Sequence, residues 1–233
     1  MLIFMDVETT GLERDDVLCT AAVIDNTQSI YELFNEGKKI SSLASSIHHV
    51  TNEMIQDKGS FYESNIYEFL QENNMPANTL ILHNVKFCLE KLSTAGLDWK
   101  GDVIDTSRVS KHLIQECELF SLEFLRYELK LYKKEEVLKQ QYGIKDALCE
   151  SKALHDALLT KLLFAYLCDY ATVDEMKELS YKNVLLEKFT FGKYAGKYIE
   201  DIVLNDRAYI AWMLNLEKLD EDLKYSLEYY MRG

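Results

Sequence analysis

Two carboxylates, Asp6 and Glu8, alternate along the apolar opening run LIFMDV and into the turn ETTGL. On an extended strand successive side chains point to opposite faces, so residues two apart share a face. Two carboxylates held side by side on an otherwise apolar strand repel each other. Either one of them takes up a proton more readily or a cation binds between them, and hard oxygen donors select Mg²⁺ or Mn²⁺. The same residues admit a purely structural account, in which Asp6 ends the strand and caps the Thr9-Thr10-Gly11 turn while Glu8 is solvated. The pair alone leaves both accounts open. Its setting, an N-terminal apolar strand running into D-V-E-T-T-G-L, narrows the choice.

The elements that must position this pair alternate between strand and helix through the first two-thirds of the chain. The runs at 2–7, 17–24 and 29–37 are rich in apolar, small and β-branched residues and predict strands. Their short connections predict antiparallel neighbours. Helical spacing of Phe61, Ile66, Phe69 and Leu70 predicts a helix over 61–74, and the turn at Pro76 leads to a strand at 79–83. A helix over 85–97 closes at Gly96, and a short strand follows at 103–106. Helices are predicted over 107–114, over 121–131 with Ser121 as N-cap, and over 151–167, the last being the longest amphipathic run. Near Glu187 the character changes to a glycine-punctuated basic turn and aromatic-rich helices. The expected division is therefore a main domain at 1–186 and a small module at 187–233, too short for a generous core of its own.

Composition sets limits on function. The 233 residues, 48% hydrophobic and 28% charged, suit an ordinary folded protein rather than a disordered or fibrous one. No apolar run approaches the roughly 20 residues needed to span a bilayer, and the opening MLIFMDVETT lacks a basic segment and a cleavage site, so a cytoplasmic protein is expected, with no membrane association. The cysteines at 19, 88, 117, 149 and 168 are scattered without a C-x-x-C pair, which fits a reducing compartment. A net charge of -13 excludes nucleic-acid binding by bulk electrostatics. It permits local binding of a phosphodiester where carboxylates hold divalent cations, because the metal inverts the local sign.

The D-V-E-T-T-G segment resembles the first motif of the DEDD, or proofreading-subunit-like, 3′-to-5′ exonuclease superfamily, D-x-E-T-T-G. IHHVTNEM at 47–54 resembles the family's I-H-G-I-T-x-E-M segment, with His49 where glycine is usual. LHNVKF at 82–87 resembles the second motif, H-N-x-x-F-D, and SKALHDALLTKLLF at 151–164 the third, H-x-A-L-x-D-A. F-G-K-Y-x-G-K at 191–197 resembles the module that follows the nuclease domain in exonuclease X-like proteins. The resemblance implies an α/β fold, a ribonuclease-H-like mixed sheet flanked by helices, with a small C-terminal module.

It also implies a function: hydrolysis of DNA or RNA 3′ ends, single-stranded or frayed, with one or two Mg²⁺ or Mn²⁺ ions. Asp6, Glu8 and Asp156 are then the catalytic carboxylates and direct metal ligands. Thr9, Thr10, Gly11, Leu12, His48, Asn84 and Phe87 are expected to shape the substrate site. For His48 and its neighbour His49, an exposed loop pair is the structural alternative. Two positions depart from the pattern. Cys88 stands where the second-motif aspartate belongs, and a thiol is a poor ligand for a hard cation. Ser151 stands where the third-motif histidine, the general base, belongs; in structural terms Ser151 is expected to N-cap the helix that follows and Cys88 to be a small buried helix residue. Loss of a general base lowers a rate by about 10²–10⁴, so impaired hydrolysis is expected. The alternative is a non-catalytic nucleic-acid-binding or scaffold protein that keeps the fold. In the C-terminal module, Lys193 and Lys197 with Tyr194, Tyr198, Tyr209 and Trp212 fit either a stacking platform for single strands or a small core with an exposed lysine turn. A protein partner for that module is a further expectation.

Overall fold

The computed structural model describes residues 1–144, 151–216 and 218–232, so Cys149 lies outside the described residues. Two compact units divide the chain, Met1–Ser180 and Tyr181–Gly233.

In the first unit, five strands form one mixed sheet: β1 (Leu2–Thr9), β2 (Leu18–Ile24), β3 (Ser29–Leu33), β4 (Thr79–Leu82) and β5 (Asp102–Asp105). Their order is β3-β2-β1-β4-β5, with β1, β2 and β3 antiparallel neighbours and β4 and β5 parallel to β1. The short connections between the first three strands thus make antiparallel pairs, as expected. Helices cover both faces. On one face Ile3, Met5 and Val7 of β1 pack into a core with Ile66 and Leu70 of α3 (Asn65–Glu72) and Val85, Cys88 and Leu92 of α4 (Val85–Thr94). On the other, Phe4, Ala22, Ile24, Ile81 and Ile104 pack against α8 (Lys152–Leu167), with α5 (Thr106–Leu113) and α6 (Leu122–Glu128) contributing Val109 and Leu125.

The structure corrects several boundaries. The third strand stops at Leu33, because Asn35 accepts the Gly37 N–H at 3.0 Å and turns the chain. The helix expected over 61–74 splits at Ser64, whose hydroxyl accepts the Tyr67 N–H at 3.0 Å and caps α3. Two short helices, α1 (Ser42–His48) and α2 (Asn52–Ile55), occupy a stretch read as loop. Lys130, in the left-handed region at φ 55°, separates α6 from an unanticipated α7 (Tyr132–Gln141). The capping box of Thr172 and Glu175 starts α9 (Val173–Leu179), also unanticipated. Helix α8 is buried rather than amphipathic: twelve of its sixteen residues are inside, since its apolar side chains run all round.

The second unit holds α10 (Ile199–Asn205), α11 (Arg207–Leu214) and α12 (Glu221–Arg232) around Phe189, Ile202, Ile210, Met213 and Leu227. The Val184 and Leu186 N–H groups donate to Asp222 and Ser226 of α12, at 2.9 and 2.8 Å, which ties the leading segment into this core.

Candidate active site

Alternation along β1 places Asp6 and Glu8 on the face that begins with Phe4, the face α8 covers. Phe4 meets Phe164 edge-on, ring centroids 5.4 Å apart. From that contact α8 runs back along β1, rising about 1.5 Å per residue against about 3.3 Å for the strand, and its first turns lie over Glu8. Asp156 arrives there. One carboxylate oxygen from each of Asp6, Glu8 and Asp156 lies within 4.8 Å of the other two.

A fourth charged group shares the cluster. Lys152 is four residues before Asp156 on the same helix face. Its ammonium is ion-paired with Asp156 and lies 3.3 Å from Glu8 Oε1. Burial pushes the Asp6 carboxyl well above the ordinary carboxylate range, and the charges of Asp156 and Glu8 push it further. Burial also raises Glu8, although Lys152 opposes it. At Asp156 burial acts upward, but His155 and Lys152 together outweigh it and hold the carboxyl below its usual value. Burial works to discharge Lys152, yet Asp156 and Glu8 raise it, so the ammonium stays charged. Three carboxylates against one ammonium leave a negative site that fits a divalent cation with oxygen donors.

The turn after β1 is built around Asp16. Its carboxylate accepts from Thr10 Oγ1 at 2.9 Å and from the Glu13 N–H at 2.8 Å, and pairs with Lys38 at 2.8 Å. A Cβ on Gly11 would overlap this carboxylate, which explains the glycine. Thr9 Oγ1 donates to the Gly11 carbonyl at 2.5 Å. The buried Lys91 donates to the carbonyls of Glu13, Arg14 and Asp16, at 2.9, 3.2 and 2.7 Å, and pins the far side. The fixed turn leaves Leu12 75% exposed, an apolar side chain presented to solvent.

His48 is not the exposed loop residue allowed for above. It ends α1 and is 3% exposed. Burial pushes its pKa below the ordinary value, so the ring is neutral, donating from Nε2 to the Thr9 carbonyl at 3.1 Å and accepting the Val50 N–H at Nδ1, also 3.1 Å. Both ring nitrogens are engaged in holding the end of β1. His49 is exposed and left-handed at φ 63°, where its N–H caps α1 on the Ser45 carbonyl. A position of this conformation favours glycine, the residue usual there in the resembling segment.

In the second motif, exposed Asn84 is left-handed at φ 78°. Its N–H and that of Val85 donate to Asp105, at 3.2 and 3.0 Å. The same carboxylate accepts from Ser107 and Arg108, at 3.0 and 3.3 Å, so one buried aspartate fastens the starts of α4 and α5. Phe87 is half-buried, with Lys91 Nζ 5.7 Å from its ring centre. Cys88, one residue on, is 3% exposed. Burial, then the charges of Asp6, Asp105 and Glu8, push its thiol well above the ordinary value, so it is neutral. Ser151 is the N-cap of α8, its hydroxyl accepting the Leu154 N–H at 3.2 Å. Lys152, Asp105, Asp16 and Lys91 were not singled out as site residues from sequence. Only Lys152 had a usable signal there, its spacing of four from Asp156.

In the C-terminal unit, Lys193 pairs with Asp206 at 3.2 Å and lies over the Tyr194 ring at 4.6 Å. Tyr194 donates to the same carboxylate at 2.6 Å and stacks edge-on against Tyr209, centroids 4.9 Å apart. This lysine and both tyrosines are thus committed to internal contacts. No helix among the described residues is long and apolar enough to cross a membrane.

Comparison with known proteins places these features in a family. Residues 3–154 match the family described as Exonuclease, and residues 189–218 match the one described as Exodeoxyribonuclease X-like C-terminal. The chain is 26% identical to Exodeoxyribonuclease 10 of Escherichia coli (strain K12) over 239 aligned positions, covering all of both chains. It is also 26% identical to DNA polymerase III PolC-type of Caldanaerobacter subterraneus subsp. tengcongensis, over 88% of this chain and 14% of that one. The solved structure of exonuclease X in complex with 5′ overhanging duplex DNA superposes with a TM-score of 0.60 at 21% identity, covering 77% of this chain and 99% of that one, a likeness of fold. With the matched domain spanning well over half of its length, the chain belongs to the exonuclease family, and its mixed five-stranded sheet is the ribonuclease-H-like exonuclease fold.

Proposed function

We propose that the chain engages DNA 3′ ends and hydrolyses them in the 3′-to-5′ direction, slowly for a member of this family. The convergence of the Asp6, Glu8 and Asp156 carboxylates carries this reading. RNA ends remain within the chemistry of the site. DNA is favoured because the full-length relative is named an exodeoxyribonuclease and exonuclease X was solved with DNA.

Asp6, Glu8 and Asp156 would hold one Mg²⁺ or Mn²⁺, which when bound supplies Lewis-acid polarisation of water and of the phosphodiester. The remaining work falls to the chain's own residues. The braced Thr9-Thr10-Gly11 turn would present Leu12 to the terminal base, with Asn84 and Phe87 across from it. His48 would act by fixing the Thr9 carbonyl rather than by touching substrate. Slow turnover is expected because neither eroded position can serve. Cys88 is a buried neutral thiol, which leaves a second cation poorly supported. Ser151 is occupied as a helix cap and cannot hold a proton at neutral pH. The exposed Phe191, Tyr198 and Trp212 would give the C-terminal unit a surface for a protein partner.

The second reading, binding without turnover, is favoured by the same two residues. A 5′-labelled oligonucleotide incubated with Mg²⁺ or Mn²⁺ separates them. Stepwise shortening that an inverted 3′-terminal nucleotide blocks supports slow hydrolysis. Salt-sensitive binding with no shortening supports the binder, and neither binding nor shortening overturns both.

A further inference from the structure

The three carboxylates are already served by a cation of the chain's own. Lys152 Nζ touches Asp156 and lies 3.3 Å from Glu8 Oε1, so it engages two of the three groups in the cluster. Its backbone is fixed, since it opens α8 directly after the Ser151 cap. Its side chain is 30% exposed, which leaves a way out toward solvent. A divalent ion that takes oxygens from Glu8 and Asp156 competes with the ammonium for the same two carboxylates and would stand against its charge at short range. The flexible four-carbon stem lets the ammonium leave without moving the helix.

We propose that Lys152 is a tethered counter-cation that competes with a divalent ion for the Asp6, Glu8 and Asp156 carboxylates, setting the metal concentration at which the site fills. This rests on the metal-site reading above. In the metal-free protein the ammonium offsets repulsion among the carboxylates. When metal enters, it is released to solvent.

The test compares Mn²⁺ binding to the full chain and to Lys152→Met, which keeps the stem and removes the charge. Titration calorimetry and the paramagnetic signal of free Mn²⁺ both report it. Lys152→Met should bind Mn²⁺ at least about tenfold more tightly, and its metal-free form should melt at a lower temperature and gain more from Mn²⁺. Equal or weaker binding by Lys152→Met overturns the proposal, weaker binding showing that the lysine supports the ion. A second measurement uses the unaltered chain and so survives a misfolded variant. Reductive methylation of Lys152, read by mass spectrometry, should be slow without metal and faster with saturating Mn²⁺; an unchanged rate overturns the proposal. Mn²⁺ binding that is lost in Asp6→Ala but unimproved in Lys152→Met removes this inference alone. No Mn²⁺ binding by either the full chain or Lys152→Met removes the metal site and the inference with it.

Discussion

Replacing Cys88 with Asp and Ser151 with His together should restore a hard ligand and a proton acceptor, and the structure sets what that does to stability. Ser151 caps α8 through the Leu154 N–H at 3.2 Å, and losing such a cap costs about 1 kcal/mol. Cys88 is 3% exposed and feels the charges of Asp6, Asp105 and Glu8. A carboxylate forced there would be raised by roughly 3–5 pKa units, and because it takes up a proton once its pKa passes the ambient pH, the penalty at pH 7 is capped at about 4 kcal/mol. Together these reach the lower edge of a domain's whole stability, about 5–15 kcal/mol. Cys88→Asp/Ser151→His should therefore be marginal without metal and regain most of its loss in Mg²⁺, which urea unfolding with and without Mg²⁺ measures. Under single-turnover conditions in Mg²⁺ it should shorten a labelled oligonucleotide at least about 10²-fold faster than the natural chain, the lower edge of what a positioned base supplies. Adding Asp6→Ala should remove the gain. A natural chain already as fast as the double variant, or a double variant folded in Mg²⁺ and no faster, would refute the reasoning.

Three further outcomes are expected. Gly11→Ala should displace the Asp16 carboxylate and loosen its bonds to Thr10, Glu13 and Lys38, at about 2–3 kcal/mol in urea unfolding. His49→Gly should relieve the left-handed backbone at φ 63° and stabilise the fold by about 0.5–1 kcal/mol, seen as a raised Tm. Burial acts to raise Glu135, but its fork with Arg126, at 2.5 and 2.9 Å, lowers it below the ordinary value. Its stabilisation is therefore present above the unfolded-state pKa and lost as pH falls through the lower folded-state value. Glu135→Gln should cost about 2–4 kcal/mol at pH 7, and the difference should vanish in strong acid, measured by unfolding across pH.

Much of the scaffold was legible because its signals are local. The Asp6 and Glu8 alternation follows from strand geometry, and both neighbours of β1 are apolar runs of strand length. Boundaries set by one polar side chain were harder. Ser64 breaks an otherwise continuous helical pattern, and Asn35 stops β3. Helix α7 has few apolar residues and only two buried ones, Glu135 and Lys139, so it carries little periodic signal. The capping box T-V-D-E that starts α9 is a local signal, but the seven-residue helix behind it is too short to show a clear periodic pattern. At the site, Cys88 and Ser151 are visible as departures, and their duties as buried helix residue and helix N-cap follow from residue type and place in the helical pattern. The burial of His48 is set by a tertiary bond to Thr9, across 39 residues of chain, which no local pattern announces. Lys152 had the right spacing from Asp156, yet its contact with Glu8 needed the helix laid against the strand.

The most direct test is the rate at which the purified chain shortens a 5′-end-labelled DNA strand in Mg²⁺, beside Asp6→Ala and beside the natural chain in EDTA. The expected result is slow shortening by the natural chain alone, with Asp6→Ala folded and inert. Shortening that persists in Asp6→Ala or in EDTA would contradict a carboxylate-held metal site as the seat of the chemistry.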